Sequence, residues 1–101
     1  MLEISQEYCI PSSHPCLAGH FPNSPIVPGV VILDYTGALL RNWKTKTRIK
    51  TLSQAKFHHP LYPEQSFIIH LMQTTEHSIK FKCLRAEDKL LSGTFIIETT
   101  I

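Results

Sequence analysis

The sequence lacks a long hydrophobic run and has few cysteines. None of its apolar stretches approaches the roughly 18 consecutive residues that a transmembrane helix needs, so we expect no membrane span. The beginning of the chain, MLEISQEY, has two glutamates and no basic segment, so we expect no signal peptide. Its three cysteines, Cys9, Cys16 and Cys83, show no spacing typical of a disulfide framework. These absences predict a cytoplasmic protein with reduced thiols.

Acidic residues are scarce in one long internal stretch of the chain. Between Tyr8 and Pro63 the only acidic residue is Asp34, although the formal net charge of the whole chain is only +2. Five basic residues lie within ten positions: Arg41, Lys44, Lys46, Arg48 and Lys50. This cluster either attracts an acidic partner or is a solvated basic edge strand. Because no nucleic-acid motif accompanies it, we expect no nucleic-acid partner.

The composition predicts one folded domain over residues 1–101. The chain is 43% hydrophobic and 18% charged, a balance typical of globular proteins and not of disordered ones. A chain of this length buries only roughly 60–65% of its surface on folding. We therefore expect a homodimer, which buries more apolar surface.

The first third of the sequence predicts a strand, a stiff loop and a helix. Residues 2–9 alternate between apolar and polar, which indicates a half-buried strand. Residues 11–28 contain five of the seven prolines, so this segment cannot be regular structure. Gly29 to Asn42 is apolar on nearly every side and follows Pro28, which predicts one long buried helix.

The rest of the sequence predicts four strands, at 48–57, 66–72, 78–85 and 90–100. The clearest alternation lies in SIKFKCLR, where Ile79, Phe81 and Cys83 would point inwards. Glu76-His77 and Glu87-Asp88 are the expected turns. The predicted fold class is α+β, with a curled antiparallel sheet wrapped around the single buried helix.

The segment with the most chemical information is GHFPNSPIVPGVVILD, residues 19–34. His20 can accept or donate a proton near neutral pH. Gly29 begins the predicted helix, where an unpaired backbone N–H favours negative charge and a missing side chain lets a carbonyl approach. Asp34 lies among apolar residues, and a buried carboxyl with a raised pKa suits a general acid.

Each of these residues also has an ordinary structural interpretation. A histidine in a proline-rich loop is often structural or exposed, a glycine after proline is often only a helix start, and a buried aspartate can bond to nearby backbone. Together, a histidine base, a backbone oxyanion donor and a carboxylic acid suit proton abstraction beside a carbonyl.

The same segment closely resembles the signature of the 3-hydroxyacyl-[acyl-carrier-protein] dehydratases, which have the hotdog fold. Asp34 falls fourteen residues after His20, where that family has its catalytic acid. Asn23 departs from the pattern, since the family usually has glycine there. The segment AKFHHPLYPEQSFIIHL, residues 55–71, is similar to a second family motif, with Glu64-Gln65 in place of Gly-Asp. Seven residues match the first motif: His20, Phe21, Pro22, Pro25, Pro28, Gly29 and Val30.

The resemblance implies a role for each of the matching residues. His20 would take the C2 proton of an acyl thioester, the Gly29 N–H would hold its carbonyl, and Asp34 would protonate the departing C3 hydroxyl. Phe21 and Val30 would line the site. The product would be a trans-2-enoyl thioester, and no metal or organic cofactor would be needed.

The resemblance also implies the partners. The substrate would be carried on the phosphopantetheine arm of acyl carrier protein. The protein would be a homodimer in which the histidine and the acid come from different subunits. Lys44, Lys46, Arg48 and Lys56 are candidates for contact with the acidic carrier.

The sequence leaves three alternatives open. The chain can be a hotdog subunit that binds acyl groups or carrier protein without catalysis, or a hotdog thioesterase that activates water with a carboxylate. A metal-binding module is the third, although the spacing of its ligands matches no zinc pattern. Its ligands would be His14, Cys16, His20, His58 and His59.

The sequence leaves several other residues without a function. His58 and His59 are expected at an exposed strand end, His70 as a packed or partly exposed sheet residue, and Cys9 and Cys16 as buried packing.

Overall fold

The structure, a computed structural model, describes residues 2–14 and 26–100. Every predicted strand and the predicted helix are present, with ends that move by at most three residues. The elements are β1 (Glu3–Cys9), α1 (Gly29–Trp43), β2 (Thr47–Phe57), β3 (Ser66–Thr75), β4 (Ser78–Arg85) and β5 (Asp88–Thr99). The proline-rich loop lies largely outside the described residues.

The five strands form one antiparallel sheet in the order β1-β3-β4-β5-β2. β4 is therefore the central strand, and β1 and β2 are the edges. Turns at 76–77 and 86–87 join β3 to β4 and β4 to β5. The first turn is where the sequence predicts it. The second comes one residue earlier, because Asp88 already pairs with Arg85 as the first residue of β5.

One face of the sheet is apolar and packs against the helix. Ile79, Phe81 and Cys83 of β4 are buried there, as predicted, while Lys80 and Lys82 point to the opposite face. Phe81 stacks on Phe95 with 4.7 Å between ring centroids. This inner face supplies most of the core, which folding removes from water.

The helix contacts this face through one side only. Its buried residues are Ile32, Thr36, Gly37, Leu39 and Leu40. The Thr36 hydroxyl donates a hydrogen bond to the Ile32 carbonyl (2.7 Å) and lies 3.5 Å from the Cys83 Sγ. Burial raises the pKa of the Cys83 thiol to about 11, with the Thr36 contact acting in the opposite direction.

The prediction of a helix buried on every side is wrong for the single chain. Val30, Asp34, Ala38 and Arg41 are exposed, with Val30 64% accessible. These positions recur every three to four residues, so they share one side of the helix and point away from the sheet. We call them the exposed helix stripe. The sequence shows that the helix is largely apolar, but not whether the same chain covers this stripe.

Cys9 is exposed on the edge strand β1, so its predicted burial is also wrong, and Cys16 lies outside the described residues. His70 is partly exposed, as predicted, and its Nδ1 lies 2.7 Å from the Ser5 hydroxyl. Within residues 2–14 and 26–100, no helix is both long and apolar enough to cross a membrane.

Candidate active site

The candidate site begins at the start of α1, where backbone N–H groups lack intrahelical partners. Pro28 occupies the N-cap position and provides no side-chain cap, and its carbonyl accepts a hydrogen bond from the Val31 N–H (3.0 Å). The first turn contains no acidic residue. This helix end therefore retains its partial positive charge, which favours a developing oxyanion.

An aromatic ring approaches Gly29 closely. A Cβ atom built on Gly29 would lie 2.0 Å from the Cε1 atom of Phe57. Phe57 is the last residue of β2, and its side chain is 61% exposed. The ring therefore covers the start of the helix from the end of the edge strand.

A cavity of about 280 Å³ lies beside this contact. A backbone hydrogen bond from the Val27 N–H to the Leu61 carbonyl (2.8 Å) fixes one wall, because it ties the segment before the helix to the connection after β2. Most of the lining is apolar. The apolar side chains that line it are Ile26, Val27, Ile32, Phe57, Leu61 and Leu90, and His58 and His59 are also part of the lining.

The two histidines of this cavity are held by β5. The His58 Nε2 lies 2.9 Å from the Ser92 hydroxyl, and the His59 Nδ1 lies 2.8 Å from the Lys89 carbonyl oxygen. Both are exposed, as the sequence predicts for a strand end. Across residues 2–14 and 26–100, no three His, Cys, Asp or Glu side chains form a group that can hold a metal ion.

Asp34 lies on the second turn of α1, in the exposed helix stripe. It is one turn after Val30, so the two side chains share the same side of the helix. The expected burial of this carboxylate is wrong for the single chain, because Asp34 points away from the sheet. Gly29, Val30 and Asp34 thus lie together on the first two turns, while His20 and Phe21 lie outside the described residues.

The four candidates for carrier contact, Lys44, Lys46, Arg48 and Lys56, do not all lie at the Gly29 end of the helix. Lys44 and Lys46 follow the opposite end of the 15-residue helix, about 22 Å away. Arg48 forms an ion pair with Glu98 on the sheet. Lys56 lies near the other end of β2, opposite Ser92. Contact between these four basic residues and a carrier protein stays a prediction.

The family model described as ApeI-like, ApeI dehydratase, matches residues 2–94. The chain belongs to this ApeI-like dehydratase family. The match covers both the motif around His20 and the strands after it.

Curated relatives of this ApeI-like chain are called 3-hydroxyacyl-[acyl-carrier-protein] dehydratase FabZ. The protein from Bartonella bacilliformis is 31% identical over 100 residues, which cover 88% of this chain and 62% of the relative. The protein from Brucella ovis is 28% identical over 87 residues, covering 75% of this chain and 55% of the relative. The chain therefore spans only 55–62% of the length of these relatives.

Solved structures confirm the hotdog fold of the ApeI-like chain. The dehydratase heterocomplex ApeI:P from Xenorhabdus doucetiae superposes with a TM-score of 0.86 at 18% identity, covering 95% of this chain and 87% of that one. A mutant of the fluoroacetyl-CoA-specific thioesterase FlK superposes with a TM-score of 0.72 at 9% identity, covering 96% and 85%. At such identities the likeness shows the fold alone.

Sequence reasoning missed Phe57 as part of the ApeI-like chain's candidate site. The contact between Phe57 and Gly29 joins residues 28 positions apart, and no local pattern reports it. The available signal was the motif resemblance over 55–71, which contains Phe57, His58 and His59. The resemblance identifies this segment, but it does not show that Phe57 packs on the start of the helix.

Proposed function

We propose that this ApeI-like chain acts as a homodimer that dehydrates 3-hydroxyacyl thioesters of acyl carrier protein to trans-2-enoyl thioesters. The observation that carries the proposal is the position of Asp34. Its carboxylate lies one turn past the Gly29 helix start, on an exposed face, in a chain that matches the ApeI dehydratase family over residues 2–94. The names of the FabZ relatives support the substrate class.

The proposed chemistry needs three groups around the thioester. His20 removes a proton from C2. The electron pair of the broken C2–H bond then forms the C2–C3 double bond as the C3–O bond breaks. The Gly29 N–H stabilises the charge that develops on the thioester oxygen. Asp34 gives its proton to the leaving hydroxyl, so one water departs, and proton exchange between Asp34 and His20 restores the resting state. Phe21 and Val30 flank the reacting carbons, and no step requires a metal or organic cofactor.

A second copy of the chain completes this site. Asp34 and Val30 face away from their own sheet, so a partner must cover them before water is excluded from the reaction. We assign His20 at each site to the partner copy. The assembly of ApeI with a second protein in the Xenorhabdus doucetiae heterocomplex supports a dimer-based arrangement.

The apolar cavity beside Gly29 is suited to the acyl chain. Ile26, Val27 and Leu61 contribute apolar walls to it, and Phe57 closes one side. Carrier-linked chemistry of this kind fits the cytoplasm, where the Cys9 and Cys83 thiols stay reduced.

The test is incubation of the protein with a medium-chain 3-hydroxyacyl carrier protein, followed by mass spectrometry and enoyl absorbance. We expect the acyl group to lose the mass of one water. His20→Ala and Asp34→Asn should each lower the rate by at least about 100-fold, the contribution of a positioned acid or base. Because Asp34 is exposed within its own chain, Asp34→Asn should leave the protein folded.

Two matched controls separate a loss of catalysis from a change of charge or surface. His77→Ala changes an exposed turn histidine, and Glu87→Gln removes an exposed carboxylate from the turn between β4 and β5. Both should keep wild-type activity. Carrier binding without water loss would contradict the proposal in favour of a non-catalytic subunit. Release of free acid would contradict it in favour of a thioesterase, a class that occurs among the structural neighbours.

A further inference from the structure

The face of the sheet opposite the helix carries two rows of side chains that cross all five strands. The strand register aligns Ser5, His70, Lys82, Ser92 and Lys56 in one row. It aligns a second row one pair further along, through Glu3, Met72, Lys80, Thr94 and Ser53. The helix that carries Gly29 and Asp34 packs on the other face of the sheet, so these rows contain neither residue.

A groove of about 670 Å³ lies over these rows. Its size falls in the range of small-ligand sites. We call it the lysine groove, after the four lysines in its lining, Lys56, Lys80, Lys82 and Lys89.

The groove concentrates positive charge in a chain whose net charge is only +2. Its lining includes four lysines and no acidic residue. Of the ion pairs formed within residues 2–14 and 26–100, none involves any of the four. Glu3 lies on the edge strand, and its carboxylate is 3.8 Å from the His70 ring. A polyanion in the groove would relieve the repulsion between these lysines.

Two ordinary explanations for surface lysines do not account for this pattern. Lysines on edge strands prevent aggregation, but Lys80 and Lys82 lie on the central strand β4. Lysines on a solvated face are usually interspersed with acidic cross-strand partners, which stabilise a sheet. In this sheet Arg48 and Glu98 form such a cross-strand ion pair. By contrast, Lys82 lies between His70 and Ser92, and Lys80 between Met72 and Thr94.

We propose that the lysine groove binds a small polyanion of the phosphate class, with at least two negatively charged groups. Lysine ammonium groups bind phosphate as point charges, and the Ser92 and Thr94 hydroxyls add neutral donors. Ser92 also contacts the His58 Nε2 at 2.9 Å, which brings another imidazole near the groove. Met72 and Ala55 give an apolar surface for the organic part of such a ligand.

The test is isothermal titration calorimetry of the wild-type protein with pyrophosphate, ADP and adenosine in separate titrations. We expect saturable, salt-sensitive binding of pyrophosphate and ADP and none of adenosine, which lacks phosphate. Tighter binding of ADP than of pyrophosphate would indicate a nucleotide-like ligand, and equal binding would indicate that phosphate alone is recognised. Lys80→Gln with Lys82→Gln should weaken pyrophosphate binding about tenfold.

The double variant Lys46→Gln with Lys50→Gln is the matched control, because it removes the same charge outside the groove. It should change the dissociation constant by less than about twofold. Equal weakening in both double variants would overturn the proposal, since only net charge would then matter. Absence of pyrophosphate binding would overturn it as well, even if Lys80→Gln with Lys82→Gln weakened the binding of an acidic protein.

A second measurement needs no variant. Amide chemical shifts of the wild-type protein during pyrophosphate titration should change in residues 80–82 and 92–94. Changes confined to other parts of the chain would contradict the assignment of the groove.

Discussion

Replacing Gly29 by alanine tests whether the approach of Phe57 to the helix start shapes the candidate site. The new Cβ would lie 2.0 Å from the Phe57 Cε1, whereas carbon atoms make contact at about 3.5–4.0 Å. The ring must therefore move by about 1.5 Å. Phe57 is 61% exposed, and full burial of a phenylalanine contributes about 1.5–3 kcal/mol. The displacement thus lowers the free energy of unfolding by at most about 1 kcal/mol.

Helix propensity opposes this loss. Alanine is more favourable than glycine in a helix by up to about 1 kcal/mol, so Gly29→Ala alone should change stability by less than about 0.5 kcal/mol. In a Phe57→Ala background the overlap is absent, and Gly29→Ala should then stabilise the protein by up to about 1 kcal/mol. The two substitutions are therefore coupled.

The effect on dehydration should be larger than the effect on stability. A displacement of about 1 Å near a reacting group can lower a rate about 100-fold, so kcat/KM for a 3-hydroxyacyl carrier protein should fall about 10- to 100-fold in Gly29→Ala. Urea denaturation and the water-loss assay on the wild type, both single variants and the double variant measure the two effects. The reasoning fails if Gly29→Ala stabilises the protein equally in both backgrounds and leaves the rate unchanged.

Two further predictions concern the core. Gly93→Ala would place a Cβ 2.7 Å from the Phe81 Cζ and 3.1 Å from the Ala55 Cα. Because the Phe81 ring is buried and cannot move away, the free energy of unfolding measured with urea should fall by about 1–3 kcal/mol. An unchanged denaturation midpoint would contradict this prediction. Since burial raises the Cys83 pKa from 9.0 to about 11, the unfolded chain loses its thiol proton first. The free energy of unfolding should therefore fall as the pH rises above 9.0, and it should fall less in Cys83→Ala. Alkylation of the native protein should label the exposed Cys9 before the buried Cys83, and equal labelling would refute the burial argument.

The elements that sequence reasoning found best are those with a local cause. The alternation of β4 survives because Ile79, Phe81 and Cys83 are buried by the helix while Lys80 and Lys82 are not. The helix begins at Gly29 because Pro28 is favourable just before it. β3 extends to Thr75 instead of Met72 because its last residues pair with β4, and this pairing is a property of the sheet.

The features that sequence reasoning missed depend on contacts between distant segments or between chains. A largely apolar helix has the same sequence pattern whether its own sheet or another copy covers it. The sequence therefore predicts burial for Val30 and Asp34, although both are exposed in the single chain. Residue type alone places Cys9 in the core, but it lies on the edge strand β1. The packing of Phe57 on Gly29 is visible only in the folded chain.

The central claim is that His20 of one copy and Asp34 of another form one catalytic site, and a mixing experiment tests it most directly. His20→Ala and Asp34→Asn should each be inactive alone. After subunit exchange in an equal mixture, half of the dimers are mixed and each has one intact site, so activity should return to about a quarter of the wild-type value. Native mass spectrometry verifies that mixed dimers form. An inactive mixture that contains mixed dimers, or an active single variant, would contradict the shared site.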